Sequence, residues 1–169
     1  DFLGLKPGYI IIDCTLGAAG HARRIIEKIM PGGRLIGIDQ DSRILEIARE
    51  RLKDFKGSFT LRQENFRNLD LVLKDLKIKE VDGLLFDLGV SSLQLESADR
   101  GFSFNFDGPL DMRMGDSGKT AADLVNTLGK EEPFFAYDAA FCMGASIGIG
   151  CGLAQVKTGQ RIVAVIGDS

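Results

Sequence analysis

The sequence predicts an α/β fold, a parallel sheet with helices on both faces, and three observations carry the prediction. Short apolar runs bounded by turn residues, such as Ile10-Ile11-Ile12 and Val81–Leu88, read as strands buried on both faces. Between such runs, apolar residues recur at helical spacing with charged residues off the stripe. The first run also passes through Asp13 and a small-residue loop, Gly17-Ala18-Ala19-Gly20, into a helix. Strand, small-residue turn and helix together open a nucleotide-binding, Rossmann-like βαβ unit.

Each element follows in order. Tyr9 to His21 reads Y-I-I-I-D-C-T-L-G-A-A-G-H and ends on the only histidine of the chain. Small residues let a ligand approach the backbone, and the helix behind them presents unpaired N–H groups, so Ala19, Gly20 and His21 are candidate cofactor contacts. G-A-A-G is not the full G-x-G-x-x-G, so a tight turn without a ligand stays open as the alternative. Ala22, Ile25, Ile26, Ile29 and Met30 form the apolar stripe of the first helix. Leu35 to Asp39 is a second strand ending on a carboxylate, 19 residues beyond Gly20. At that spacing an acidic residue accepts hydrogen bonds from ribose hydroxyls; the alternative is a helix cap, for which Asp41 and Ser42 are nearer candidates.

Ile44, Leu45, Ala48, Leu52 and Phe55 mark the second helix, and Phe59 and Leu61 a short third strand. Gln63-Glu64-Asn65-Phe66 follows it, where an aromatic and an amide can flank and hydrogen-bond an adenine or simply pack a loop. Leu69, Val72, Leu73 and Leu76 give another amphipathic helix before the fourth strand, Val81–Leu88. Asp87 to Ser92 then lies where that strand faces the first loop, beside the topological switch point. From Leu93 to Gly118 periodicity is weak, and long structureless loops inside domains are usually functional. Phe102, Phe104 and Phe106 alternate like a strand, so a small hairpin is one reading; with Arg100 and Arg113 they also suit a flipped base and its phosphates. Thr120 opens a helix with Asp123 as its capping partner.

Composition narrows the class. The chain has 169 residues, 44% of them apolar, enough for one domain with a real core. A net charge of −3 supplies no global basic field, which argues against strong non-specific nucleic-acid binding but not against a local basic face. Three cysteines without a C-x-x-C pair argue against a disulfide framework or a zinc site and for a reducing cytosol, hence a cytoplasmic protein. No apolar run reaches the length of a membrane span, and no signal peptide is expected. The chain starts at Asp1 without methionine and stops just after a strand-like run, so both ends read as cut.

Four strings, D-C-T-L-G-A-A-G-H (13–21), L-I-G-I-D-Q-D (35–41), V-D-G-L-L-F-D-L-G-V-S-S (81–92) and R-G-F-S-F-N-F-D-G-P-L-D-M-R-M (100–114), resemble one family, and T-A-A-D-L-V-N-T-L (120–128) continues the match. It is the family of S-adenosylmethionine-dependent methyltransferases that modify N4 of a cytidine in small-subunit ribosomal RNA. The resemblance covers residues 4–129 and implies S-adenosylmethionine contacts at Ala19, Gly20, His21, Asp39, Phe66, Asp87 and Gln94. Asp87, Ser91 and Ser92 are then the acceptors expected to polarise the target amine, with no metal required. Small-subunit ribosomal RNA is the expected partner. The family usually carries glycines at the positions of Ala18 and Ala19, and a proline at Leu93. It also continues past Leu128 into a helical insert.

Composition breaks near Pro133: residues 134–169 hold only four charged side chains, Asp138, Lys157, Arg161 and Asp168. A glycine-rich helix, Gly144 to Lys157, and a strand, Ile162–Ile166, are expected there. C-M-G-A-S-I-G-I-G-C-G-L-A (142–154) and I-V-A-V-I-G-D-S (162–169) resemble the thiamine-diphosphate domain of an indolepyruvate:ferredoxin oxidoreductase large subunit. That resemblance would make Asp168 a metal ligand, yet the second ligand its motif needs is not in the sequence. Two families meeting near Gly129–Phe134 imply a chimera, a misassembled reading frame or a fragment fusion: a truncated methyltransferase core over 1–129 and a helix–strand tail over 130–169. A helix followed by a parallel strand is the unit that covers a bare sheet edge by a right-handed crossover. The expected strand order is therefore 3-2-1-4-5. Three functions are open: the methyltransferase, a cofactor-binding module without catalysis, and a thiamine-dependent oxidoreductase resting on the tail alone.

Overall fold

β1 (Ile10–Asp13) is the centre of the computed structural model, which describes residues 3–127 and the backbone of 161–165. It pairs in parallel with β2 (Arg34–Asp39) on one side and β4 (Gly83–Asp87) on the other, and β3 (Phe59–Gln63) pairs in parallel with β2. The order 3-2-1-4 is the one expected. A further strand, β5 (Arg161–Val165), runs parallel along β4 with Gly83 opposite Arg161 and Asp87 opposite Val165, so the sheet reads β3-β2-β1-β4-β5. The expected helix over 144–157 and Asp168 lie outside the described residues.

Alternation along the strands sorts the core into two layers. Ile11, Leu35 and Leu85 face α1 (Gly20–Ile29) and α2 (Ser42–Arg51), where Ala22, Ile25, Ile26, Ile29, Leu45 and Ala48 are buried. Ile12, Ile36, Ile38, Leu84 and Phe86 face the other way and pack with Val72 of α3 (Leu69–Asp75). Helices thus cover both faces, and the continuous isoleucine runs of the sequence are explained: neither side of these strands meets water. β4 is shorter than the expected Val81–Leu88. Asp82 stands outside the strand because its carboxylate accepts the N–H of Ile10 at 2.7 Å, tying the start of β1 to the entry of β4.

The described residues fall into two units, 3–88 with the strand 161–165, and 89–127. In the second unit the stretch after Leu93 is neither structureless nor a hairpin. It holds α4 (Ser92–Glu96), a short 3-10 turn at Ala98–Arg100, a loop and α5 (Ala121–Thr127). The loop is stapled to itself. Arg100 donates to the carbonyls of Arg113 (2.9 Å) and Met114 (3.4 Å), and Asp111 takes a two-pronged grip from the Arg113 guanidinium at 2.8 and 2.7 Å. A β-carbon on Gly108 would stand 1.9 Å from the Ala98 carbonyl oxygen, and one on Gly101, at φ +71°, 2.2 Å from that of Pro109. The alternating phenylalanines fail as a strand because only Phe102 is buried while Phe104 and Phe106 are exposed. α5 begins with the expected box: Thr120 Oγ1 accepts the Asp123 N–H, and the Asp123 carboxylate accepts from Thr120.

Gly33, at the turn into β2, is a steric requirement of another kind, since a β-carbon there would lie 2.4 Å from the Ile29 carbonyl oxygen. A main-chain oxygen cannot swing aside, so Gly33→Ala should cost about 1–3 kcal/mol in urea unfolding. Gly89→Ala, whose β-carbon meets nothing within 4 Å, is the control and should change stability by less than about 0.5 kcal/mol.

Candidate functional site

Parallel strands bring their carboxyl ends to one edge, and here β1, β2 and β4 end there on Asp13, Asp39 and Asp87. Asp39 joins the loops around it. One oxygen accepts the Gly17 N–H at 2.9 Å and the other the Asp41 N–H at 3.0 Å, so the same carboxylate fixes the loop after β1 and the start of α2. The cap of α2 is Asp41, which accepts from Arg43 N–H, so Asp39 is left facing the edge rather than capping. Burial pushes the Asp39 carboxyl above its ordinary value, against the backbone donors that lower it. Each of its oxygens retains acceptor capacity for a further donor such as a hydroxyl.

The loop after β1 forms a tight turn. Ala19 N–H bonds the Leu16 carbonyl at 3.0 Å, and Ala19 itself stands at φ +62°, ψ +29° as the residue preceding α1, with no side-chain cap. This left-handed position favours glycine, since an L side chain is strained there. Gly20 follows at the start of α1, and a β-carbon there would meet nothing within 4 Å, so space is open in front of the helix. His21 directs Nδ1 to within 3.5 Å of an Asp87 oxygen, and the Asp87 N–H donates to the Thr15 hydroxyl at 2.6 Å. Ala19, Gly20, His21, Asp39 and Asp87 therefore gather at one edge.

Phe66 follows β3 and meets the Phe86 ring edge-on, 5.7 Å between centroids, so its orientation is set by the core. The neighbouring amide is partly committed: Asn65 Oδ1 caps the Arg67 N–H and Nδ2 donates to Gln40 Oε1 at 3.0 Å. In the second unit, Ser91 and Gln94 form a reciprocal capping box at the start of α4. Gln94 N–H reaches Ser91 Oγ at 3.2 Å, and Ser91 N–H reaches Gln94 Oε1 at 2.9 Å. The pattern S-x-x-Q signals such a box, and it gives Ser91 and the buried Gln94 a structural task. Ser92 is the first residue of that helix.

Sequence reasoning missed Asp13. The residue is 1% exposed; Oδ1 accepts the Thr15 N–H at 3.2 Å and Oδ2 has no hydrogen-bond partner. Desolvation, opposed by the Thr15 bond and reinforced by the charges of Asp87 and Asp39, raises its carboxyl to about 7. A buried polar atom without a partner calls for an explanation, and a donor or cation brought by a ligand supplies one. Its position, directly before the small-residue loop, was the signal available. Cys14 beside it is buried, and burial pushes its thiol far up, so it is inert. Among the described residues no group of three His, Cys, Asp or Glu side chains could hold a metal ion, and no helix is long and apolar enough to cross a membrane.

Comparison with known proteins matches residues 1–134 to the model of the MraW methylase family. The chain is 51% identical over 131 residues to a protein of Brevibacillus brevis named ribosomal RNA small subunit methyltransferase H, covering 77% of this chain and 42% of that one. A protein of the same name from Lachnospira eligens is 50% identical over 135 residues, 79% and 43% of the two chains. The chain thus spans less than half the length of these relatives. The family match stops at 134, so it lends no support to a thiamine reading of the tail.

Asp13 makes stability depend on pH in a stated direction. Its carboxyl is protonated in the fold up to about pH 7, but in the unfolded chain only up to its ordinary 3.8. The folded form thus holds the extra proton between those values, and stability falls as pH rises through that window. Asp13→Asn keeps the acceptor for Thr15 and removes the charge. It should match the parent near pH 4 and exceed it by about 2–4 kcal/mol at pH 8 in urea unfolding. An unchanged gap between the two pH values would contradict the assignment.

Proposed function

We propose a function from the premise that this chain belongs to the MraW methylase family: it forms the cofactor-binding part of an S-adenosylmethionine-dependent methyltransferase acting on N4 of a cytidine in small-subunit ribosomal RNA. The observation that supports it most is the carboxylate edge itself. Three aspartates, one with an unpartnered buried oxygen, stand beside a small-residue loop with open space at Gly20. A ligand with hydroxyls and positive charge suits that edge; an anionic phosphate does not.

The residues divide the work. Asp39 accepts from ribose hydroxyls with the lone pairs its backbone donors leave free. Ala19, Gly20 and His21 line the approach to the start of α1, and the Phe66 ring, held by Phe86, flanks the adenine. Asp13 offers Oδ2 to the positive end. Bound S-adenosylmethionine supplies an electrophilic methyl group on sulfur, so the protein mainly has to orient the amine and keep the site dry. As the nitrogen–carbon bond forms and the carbon–sulfur bond breaks, the amine loses a proton. Asp87 is the acceptor for it, and His21, with 53% of its side chain exposed, passes it to solvent. Ser91 and Ser92 are assigned to polarising the amine and Gln94 to a cofactor contact. The reaction needs no metal and takes place in the cytoplasm.

Calorimetric titration with S-adenosylhomocysteine tests the cofactor reading. The parent should bind and Asp39→Ala should bind at least about 50-fold more weakly, the loss of charge-assisted hydrogen bonds. Gly20→Ala should keep its unfolding midpoint yet lose affinity, because the added methyl fills the space the ligand needs. Transfer of labelled methyl to small-subunit RNA then reads catalysis. Binding without incorporation would leave this chain a cofactor-binding module.

Affinity for S-adenosylmethionine should also rise between pH 6 and pH 8, as Asp13 gives up its proton to receive a cation. In Asp13→Asn the rise should vanish.

A further inference from the structure

The Ala18–Ala19 peptide is held on both sides. Its N–H, on Ala19, donates to the Leu16 carbonyl at 3.0 Å. Its carbonyl oxygen, on Ala18, accepts from the Arg51 guanidinium at 2.9 Å, across 33 residues of sequence. Arg51 belongs to the last turn of α2, and its own carbonyl accepts from Arg23 Nη1 of α1 at 3.0 Å. Arg23 is in turn anchored: Nε lies 3.4 Å from Glu27, Nη2 lies 3.6 Å from Asp54, and the guanidinium sits over the Phe55 ring at 5.8 Å.

This chain of contacts coincides with a local strain. Ala19 occupies the left-handed region, which costs a non-glycine residue about 1–2 kcal/mol, and no side chain caps α1. Such a conformation persists only where neighbours over-determine it. Leu16 and Arg51 do so by fixing the peptide plane that enters Ala19, and the Ala19 dihedrals, φ +62° and ψ +29°, carry that orientation on to the peptide bearing the Gly20 N–H. We propose that Arg51 is a positioning residue for the cofactor loop, holding Ala19 in the conformation that glycine would adopt without help. The proposal rests on the reading of residues 17–21 as the S-adenosylmethionine loop. A planar fork with several donors suits a carbonyl approached from the side of a helix end better than a single ammonium does.

The test pairs two substitutions in the full 169-residue chain. Arg51→Met, titrated with S-adenosylhomocysteine, should bind about 3–10-fold more weakly, the range of one lost hydrogen bond. Arg51→Lys should fall between it and the parent. The loss caused by Arg51→Met should largely disappear when both proteins compared carry Ala19→Gly, whatever affinity Ala19→Gly itself has, since glycine adopts the loop conformation unaided. A general loss of stability would not be rescued in this way. Parent-like binding by Arg51→Met, or no rescue by Ala19→Gly, overturns the proposal. Amide NMR signals of the unliganded protein keep the two readings apart. Arg51→Met should shift or broaden the Ala19, Gly20 and His21 amides, and Ala19→Gly should narrow those of Gly20 and His21 again. If the parent binds no S-adenosylhomocysteine, the cofactor reading fails, while unmoved amide signals alone would defeat the role of Arg51.

Discussion

A parallel strand buried on both faces must end its apolar run where it meets the loops, and three neighbouring strands of this chain end there on aspartates. Everything at the site depends on how those three carboxylates are accommodated. Asp39 is accommodated by main-chain donors, Gly17 and Asp41 among them, and in accepting them it joins the loop after β1 to the start of α2. Asp87 is placed by the hydrogen bond of its own N–H to Thr15 and faces His21. Asp13 is the least satisfied, with one oxygen bonded and one bare. Burial raises the proton affinity of the Asp13 carboxyl, against the Thr15 hydrogen bond that lowers it, and the charges of Asp87 and Asp39 add to the rise. The two cores on either face of β1 hold this arrangement against its own repulsion.

The sheet was legible because its signal is local and repeated. Ile10-Ile11-Ile12 and Leu35 to Ile38 are apolar without alternation, which only a strand covered on both faces requires. The place of Asp39 at the end of β2 was legible because it closes that apolar run. What escaped were features made by residues distant in sequence. No periodicity reveals that Arg51 reaches Ala18, or that Asp13 keeps an oxygen bare, since both depend on which side chains the finished fold leaves nearby. The capping box of Ser91 and Gln94 was within reach, because S-x-x-Q is a local pattern. The phenylalanine alternation at 102–106 misled in the opposite sense: two glycines and an arginine dictate a self-stapled loop there, and the spacing of the rings is incidental to it.

The alanine at position 19, where the main chain is left-handed, has a physical setting. A methyl group at Ala19 is buried against the core of α1 and α2, so it gains apolar burial while straining the main chain. The two effects are each of the order of 1 kcal/mol and largely cancel. Such near-cancellation explains how a position that favours glycine on conformational grounds can carry alanine without the fold being lost.

The stapled loop of the second unit has a consequence for how the chain comes to be folded. Its contacts, Ala98 with Gly108, Arg100 with Arg113 and Asp111 with Arg113, join residues no more than 13 positions apart. Closing such short loops costs little entropy and takes well under a microsecond at about ten residues. The parallel sheet, by contrast, must bring Ile11 to Gly83 across the whole intervening chain before its central pairing forms. The self-stapled loop is thus built from local closures, while the sheet on either side of β4 is built from closures that span more than seventy residues.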